Sequence, residues 1–157
     1  MSNISFSRNL VKGKIAETVF SQMFRDSGNF TVLEFGYEKI VPELVQQGYD
    51  EKSEILETLK TAPDFAVINK NSKEIRLIEV KYRHTLRDDD ILKCAQRMLD
   101  SWNPSFLFLA TQDRFYFDEV KTICDKKGVI SLLDYSVVSK DLQDKYSKIL
   151  KDFESDN

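Results

Sequence analysis

With 157 residues the chain has the length of about one domain, and folding at this size buries roughly 69% of the extended chain's surface, so a core holds without disulfides or a structural metal. A 41% hydrophobic content with only 5 Gly and 3 Pro excludes disordered, collagenous and low-complexity classes, and a formal charge of −3 argues against a protein that coats nucleic acid indiscriminately. No run reaches the roughly 18 apolar residues of a membrane span, and Met1 to Asn9 lack the apolar stretch of a secretion signal, so the expectation is a cytoplasmic protein of one domain spanning 1–157.

In chain order, Ala16, Val19, Phe20, Met23 and Phe24 repeat at three- and four-residue spacing, which predicts an amphipathic helix from Arg8 to Arg25, stopped by Asp26-Ser27-Gly28-Asn29. Phe30 to Tyr37 is aromatic and branched and reads as a strand, followed by an acidic helical region from Pro42 to Lys60. Asp64 to Ile68 and Glu74 to Tyr82 read as antiparallel strands around a turn of Asn69-Lys70-Asn71-Ser72-Lys73. Asp88-Asp89-Asp90 offer N-capping carboxylates to a second amphipathic helix that closes at Asn103-Pro104. Phe106 to Ala110 reads as a strand buried on both faces, Phe117 to Lys127 as a helix, Val129 to Leu133 as a fifth strand and Lys140 to Phe153 as a closing helix. The order α, β, β, β, α, β predicts an α/β fold, a mixed β-sheet flanked by helices. Cys94 and Cys124 stand singly, which fits reduced thiols packed as small hydrophobes.

Charge is segregated along the chain. Between Lys70 and Arg87 six basic residues face two acids, whereas from Glu34 to Lys60 seven acids face three bases. Within the basic stretch, Glu79 and Lys81 are two apart on one strand and therefore project from one face, with Ile75 and Leu77 behind them. If Asp64 opens the neighbouring strand, its carboxylate lies beside that of Glu79. Two hard oxygen donors of this kind suit Mg²⁺, or Mn²⁺ in its place, because a divalent cation relieves their mutual repulsion. Lys81 is then placed to orient an attacking water or to stabilise developing negative charge.

Pro63-Asp64 followed by Glu79-Val80-Lys81, on a turn-linked strand pair behind a Glu-bearing helix, resembles the PD-(D/E)XK or restriction-endonuclease-like nuclease superfamily. Gly13-Lys14-Ile15-Ala16-Glu17 is similar to the opening helix of its Holliday junction resolvase-like members. The resemblance covers roughly residues 8 to 111. It implies an αβββαβ restriction-endonuclease-like core and a Mg²⁺-dependent (endo)deoxyribonuclease, with Asp64, Glu79 and Glu17 as metal ligands and Lys81 as the fourth catalytic residue. DNA as the partner is part of that implication, as is a homodimer or a place in a larger complex. Arg83, Arg87 and Lys93 follow the motif as phosphate contacts. Gln96 matches a glutamine of the recombination-exonuclease branch, although Asp100 stands where that branch has tyrosine.

Two other readings fit the same residues. One is a nuclease-fold subunit that binds DNA or serves assembly without cutting, which the acidic segment favours. In the other, Glu79 and Lys81 are only the solvated face of an edge strand. His84, the single histidine, reads as a surface residue, and Phe106, Phe108, Phe115, Tyr116 and Phe117 as core.

Overall fold

The apolar stripe of the first helix does what its spacing predicts. Ala16, Val19, Phe20, Met23 and Phe24 are all buried along α1 (Asn3–Asp26), which ends where Gly28 adopts a positive φ and Ser27 donates its hydroxyl to the Phe24 carbonyl. The computed structural model describes residues 3–35, 37–48, 50, 53–60 and 62–155. The remaining elements are β1 (Phe30–Glu34), α2 (Tyr37–Gln46), α3 (Glu54–Lys60), β2 (Phe65–Asn69), β3 (Ile75–Tyr82), α4 (Asp88–Ser101), β4 (Phe106–Ala110), β5 (Phe115–Glu119), α5 (Val120–Asp125) and α6 (Lys140–Ser155).

One five-stranded mixed sheet runs β1-β2-β3-β4-β5, antiparallel throughout except for the β3–β4 pair, where α4 supplies the crossover that a parallel connection needs. Side chains alternate between two cores. Val32, Phe65, Val67, Ile78, Val80, Phe108 and Phe115 meet α1 and α6 on one face. Leu107 and Leu109 meet Ile91, Ala95 and Met98 of α4 and Val120 and Ile123 of α5 on the other. Phe20 is the hub of the first core, its ring 4.4 Å from Phe24, 5.1 Å from Phe65 and 4.9 Å from Phe108. The outer edge of β1 is blunted by Arg25, whose guanidinium donates to the Val32 carbonyl at 3.2 Å.

The sequence expectations need four corrections. Tyr37 opens α2 and does not end β1, because the spacing Tyr37, Ile40, Val41, Leu44, Val45 is helical and runs through Pro42. Phe117 to Glu119 belong to β5, with the helix confined to Val120–Asp125. Val129 to Leu133 forms only a single bridge, Tyr116 to Leu132, alongside β5. The aspartates at 88–90 fill the first turn of α4 while Arg87 takes the N-cap position without a side-chain hydrogen bond, so they act on the positive helix end as charges and not as caps. Among the described residues no helix is long and apolar enough to cross a membrane.

Gly128 ties the second core to the start of α4. Its φ is +99°, and a Cβ there would lie 2.0 Å from the Asp88 carbonyl oxygen. Gly128→Ala is expected to destabilise the fold by about 2 kcal/mol or more, from backbone strain and overpacking together. A urea midpoint equal to that of the wild type would show that the Gly128–Asp88 approach is not a constraint.

Candidate functional site

The eight-residue β3 outruns the five-residue β2. Their register pairs Ile68 with Ile75 and Phe65 with Ile78, so from Glu79 onward β3 has no β2 neighbour. Pro63 explains the break, since a residue without an N–H cannot extend the ladder. Asp64 fills the notch that results. Its backbone carbonyl accepts the Phe35 N–H at 3.0 Å, and its carboxylate Oδ2 accepts the Val80 N–H at 2.9 Å, supplying the acceptor that a longer β2 would have provided.

Glu79 and Lys81 pair in register with Leu107 and Leu109, which places both on the α4 face of the sheet. The Glu79 side chain is only 16% exposed, and the Lys81 Nζ lies 4.0 Å from its Oε1. Burial is the first cause that pushes the Glu79 carboxyl up to about 9, the charge of Asp64 the second and a hydrogen bond with Asp64 the third; Lys81 opposes them and Glu17 adds slightly. At 4.0 Å, the outer limit of an ion pair, Lys81 does not overcome the loss of solvent, so the protonated form of Glu79 is favoured beside Asp64.

Glu17 lies apart from this pair. It sits on α1, against the opposite face of the sheet, and forms an ion pair with Lys14 at 3.5 Å. Its charge reaches Glu79, but among the described residues no three acidic, histidine or cysteine side chains gather into a group that holds a metal. What the notch offers a cation is two carboxylates. That is the protein share of many Mg²⁺ sites, in which water and substrate oxygens complete the shell.

The residues expected to touch phosphate divide sharply. Arg83 is spent within the protein: Nε lies 2.6 Å from Asp90 Oδ2, Nη2 lies 3.4 Å from Oδ1, Nη1 donates to the Tyr82 carbonyl at 2.9 Å and Nη2 reaches the Cys94 Sγ at 3.6 Å. This two-pronged bond holds Asp90 below the usual carboxylate range and raises Arg83 above its own. Arg87 is 70% exposed and paired with Asp89 at 3.2 Å. Lys93 and Gln96 are exposed on α4, away from its buried Ile91, Ala95 and Met98 stripe, and His84 is exposed beyond the end of β3. Trp102 meets the ring of Phe35 edge-on at 5.4 Å, joining the end of α4 to the end of β1.

Sequence reasoning missed the Arg83–Asp90 clamp. The signal was present as an Arg just past a strand and an Asp in the first turn of the next helix, but the aspartate run had been absorbed into a capping role. A cavity of about 600 Å³ lies far along the chain from the notch, lined by Arg114, Leu133, Lys140, Gln143 and Asp144 among others. Lys140 and Asp144 neutralise each other there at 2.9 Å, Lys151 pairs with Asp113 at 3.3 Å, and Asp134 Oδ1 accepts the Ser136 N–H, so its carboxylates are each engaged within the protein.

The shared proton has a stability consequence. Because Glu79 binds its proton more tightly folded than unfolded, the folded state holds the extra proton between pH 4.5 and about 9, and stability contributed by that group falls as pH rises through this window. Denaturation with a chelator present is expected to show this decline in the wild type and a flatter profile in Glu79→Gln. Parallel profiles would mean that Glu79 titrates normally.

No protein-family model and no curated protein matches the chain, so the functional reading is carried by the chemistry of the notch itself.

Proposed function

We propose that the protein is a metal-dependent nuclease of the PD-(D/E)XK kind that hydrolyses DNA phosphodiester bonds. The observation that carries this reading is the half-buried Asp64–Glu79 carboxyl pair in the sheet notch, with the Lys81 ammonium beside Glu79 on the same face. Supporting it, the elements follow the order that the resemblance implies, with α2 and α3 added between β1 and β2.

Asp64 and Glu79 would hold Mg²⁺, with Mn²⁺ able to take its place. When bound, the ion acidifies a coordinated water and screens the phosphodiester charge. The chain's own residues do the rest. Asp64 has one oxygen held in place by the Val80 N–H. Glu79 would be the second donor in its ionised form, so binding of a cation would be linked to release of the proton that burial favours on it. Lys81, 34% exposed, presents N–H donors where negative charge develops on a phosphorane. The gathering of two acidic groups, with Glu17 held aside by Lys14, favours as a second reading a nuclease-fold subunit that binds DNA without cleaving it.

Titration calorimetry with Mn²⁺ tests the first step. Asp64→Ala would strip Val80 of its acceptor and cost about 1–3 kcal/mol of stability, so Asp64→Asn, which keeps a carbonyl oxygen, is the better control. Saturable binding is expected in the wild type and lost in Asp64→Asn, with a heat that changes with the ionisation enthalpy of the buffer because a proton is released. Lys81→Ala is expected to lower metal-dependent cleavage by about 10²–10³-fold without abolishing metal uptake. Equal Mn²⁺ binding in wild type and Asp64→Asn would refute the site, and tight, salt-sensitive DNA binding with metal uptake but no cleavage would select the second reading.

A further inference from the structure

We infer that Arg83 is a positioning residue for Lys81: with both prongs of its guanidinium closed on Asp90, it denies Lys81 a carboxylate that would otherwise draw the ammonium out of the notch. The catalytic task of Lys81 rests on the nuclease reading above; the competition for Asp90 follows from the geometry of β3 and α4.

The Arg83 N–H donates to the Ala110 carbonyl at 3.0 Å, which carries the pairing of β3 with β4 one residue past Tyr82. Glu79, Lys81 and Arg83 therefore follow one another on the α4 face, about 6.6 Å apart along the strand, with Lys81 in the middle. Lys81 stands between two acids. Behind it, Glu79 offers Oε1 at 4.0 Å, the outer limit of an ion pair. Ahead of it, Asp90 is held below the usual carboxylate range first by its hydrogen bond with Arg83, and the charge of Lys81 adds to the effect, so the field of the ammonium already reaches that carboxylate. The side chains of Lys81 and Asp90 are 34% and 36% exposed, and an unpacked ammonium on a flexible four-carbon stem follows the stronger partner. The fork prevents this. Arg83 Nε lies 2.6 Å from Asp90 Oδ2 and Nη2 3.4 Å from Oδ1, while Nη1 donates to the Tyr82 carbonyl at 2.9 Å and holds the guanidinium in its plane. Arg87, whose charge also reaches Asp90, is paired with Asp89 at 3.2 Å. The long Lys81–Glu79 contact persists because its competitor is occupied, and the arginine that the resemblance gives to phosphate acts from within the protein.

Calorimetric titration with Mn²⁺ in the absence of DNA reads where the ammonium lies, because a cation beside the carboxyl pair is repelled by Lys81. Arg83→Gln, which leaves Asp90 open, is expected to tighten Mn²⁺ binding roughly three- to tenfold as Lys81 moves away. In a Lys81→Met background the same substitution is expected to change the affinity less than about twofold, since the effect runs through Lys81. Arg83→Gln/Asp90→Asn, which removes the competitor along with the fork, and Arg83→Lys, which keeps a cation on Asp90, are expected to return the wild-type affinity. No tightening in Arg83→Gln, or equal tightening with and without Lys81, overturns the positioning role while leaving the metal site. A weakening that Asp90→Asn does not reverse also overturns it, since that is the mark of a fork that only braces α4. Should Arg83→Gln not fold, Asp90→Asn alone decides: it breaks the fork without creating a rival acceptor, so an unchanged Mn²⁺ affinity supports the positioning role and a lowered one overturns it. A wild type that binds no Mn²⁺ overturns this role and the nuclease reading together.

Discussion

The bond from the Val80 N–H to the Asp64 carboxylate is the constraint from which the site follows. A buried strand cannot leave an N–H without an acceptor, because desolvating it unpaired costs about 1–3 kcal/mol. β2 begins at Phe65, two residues short of the position opposite Val80, and the side chain that substitutes for its backbone is a carboxylate. The choice has an electrostatic price that appears next door. The Asp64 carboxyl lies beside that of Glu79, and partial burial together with that neighbouring charge raises the Glu79 carboxyl, so the pair resists full ionisation. The hydrogen bond that finishes the sheet thus also creates the proton-sharing pair.

Rigidity around the pair comes from both sides. Behind it, Ile78 and Val80 alternate with Glu79 and Lys81 and pack into the Phe20-centred core, so the polar side chains cannot turn away without dragging β3 out of register. In front, α4 is anchored at both ends: its first turn by the Arg83–Asp90 fork and the close approach of Gly128 to Asp88, its last by the edge-on contact of Trp102 with Phe35. Phe35 in turn is the residue whose N–H bonds the Asp64 carbonyl. The notch is therefore braced through a closed circuit of β1, β2, β3 and α4, which is what a pair of donors held at fixed separation needs.

Much of this was legible in the sequence wherever the determinant is local or periodic. The α1 stripe, the two-residue alternation of β3 and the fully apolar Phe106–Ala110 were read correctly because period and burial coincide there, and the turn at Asn69 because its Oδ1 accepts the N–H groups of Asn71 and Ser72, an arrangement that asparagine favours. The misses have one physical origin, partners distant along the chain. Phe115, Tyr116 and Phe117 alternate between two cores because β4 lies beside them, a partner that the reading of Phe117 to Lys127 as a helix did not include. Glu17 lies at the edge of its helix's buried stripe, as its spacing predicts, but which face of the sheet receives that helix is a matter of tertiary packing. Arg83 looked available for phosphate until α4 folded back to bring it Asp90.

The acidic segment acquires a place in the same scheme. The chain leaves the sheet at the end of β1 and re-enters it at β2, where the Phe35 N–H donates to the Asp64 carbonyl, so the two ends of the acidic segment meet at the β2 lip of the notch. In the nuclease reading a polyanion approaching α4 meets the aspartates of its first turn. An acidic chain can still hold a polyanion in that reading, because attraction limited by screening to roughly 8 Å depends on the few charges lining one path and not on the net charge.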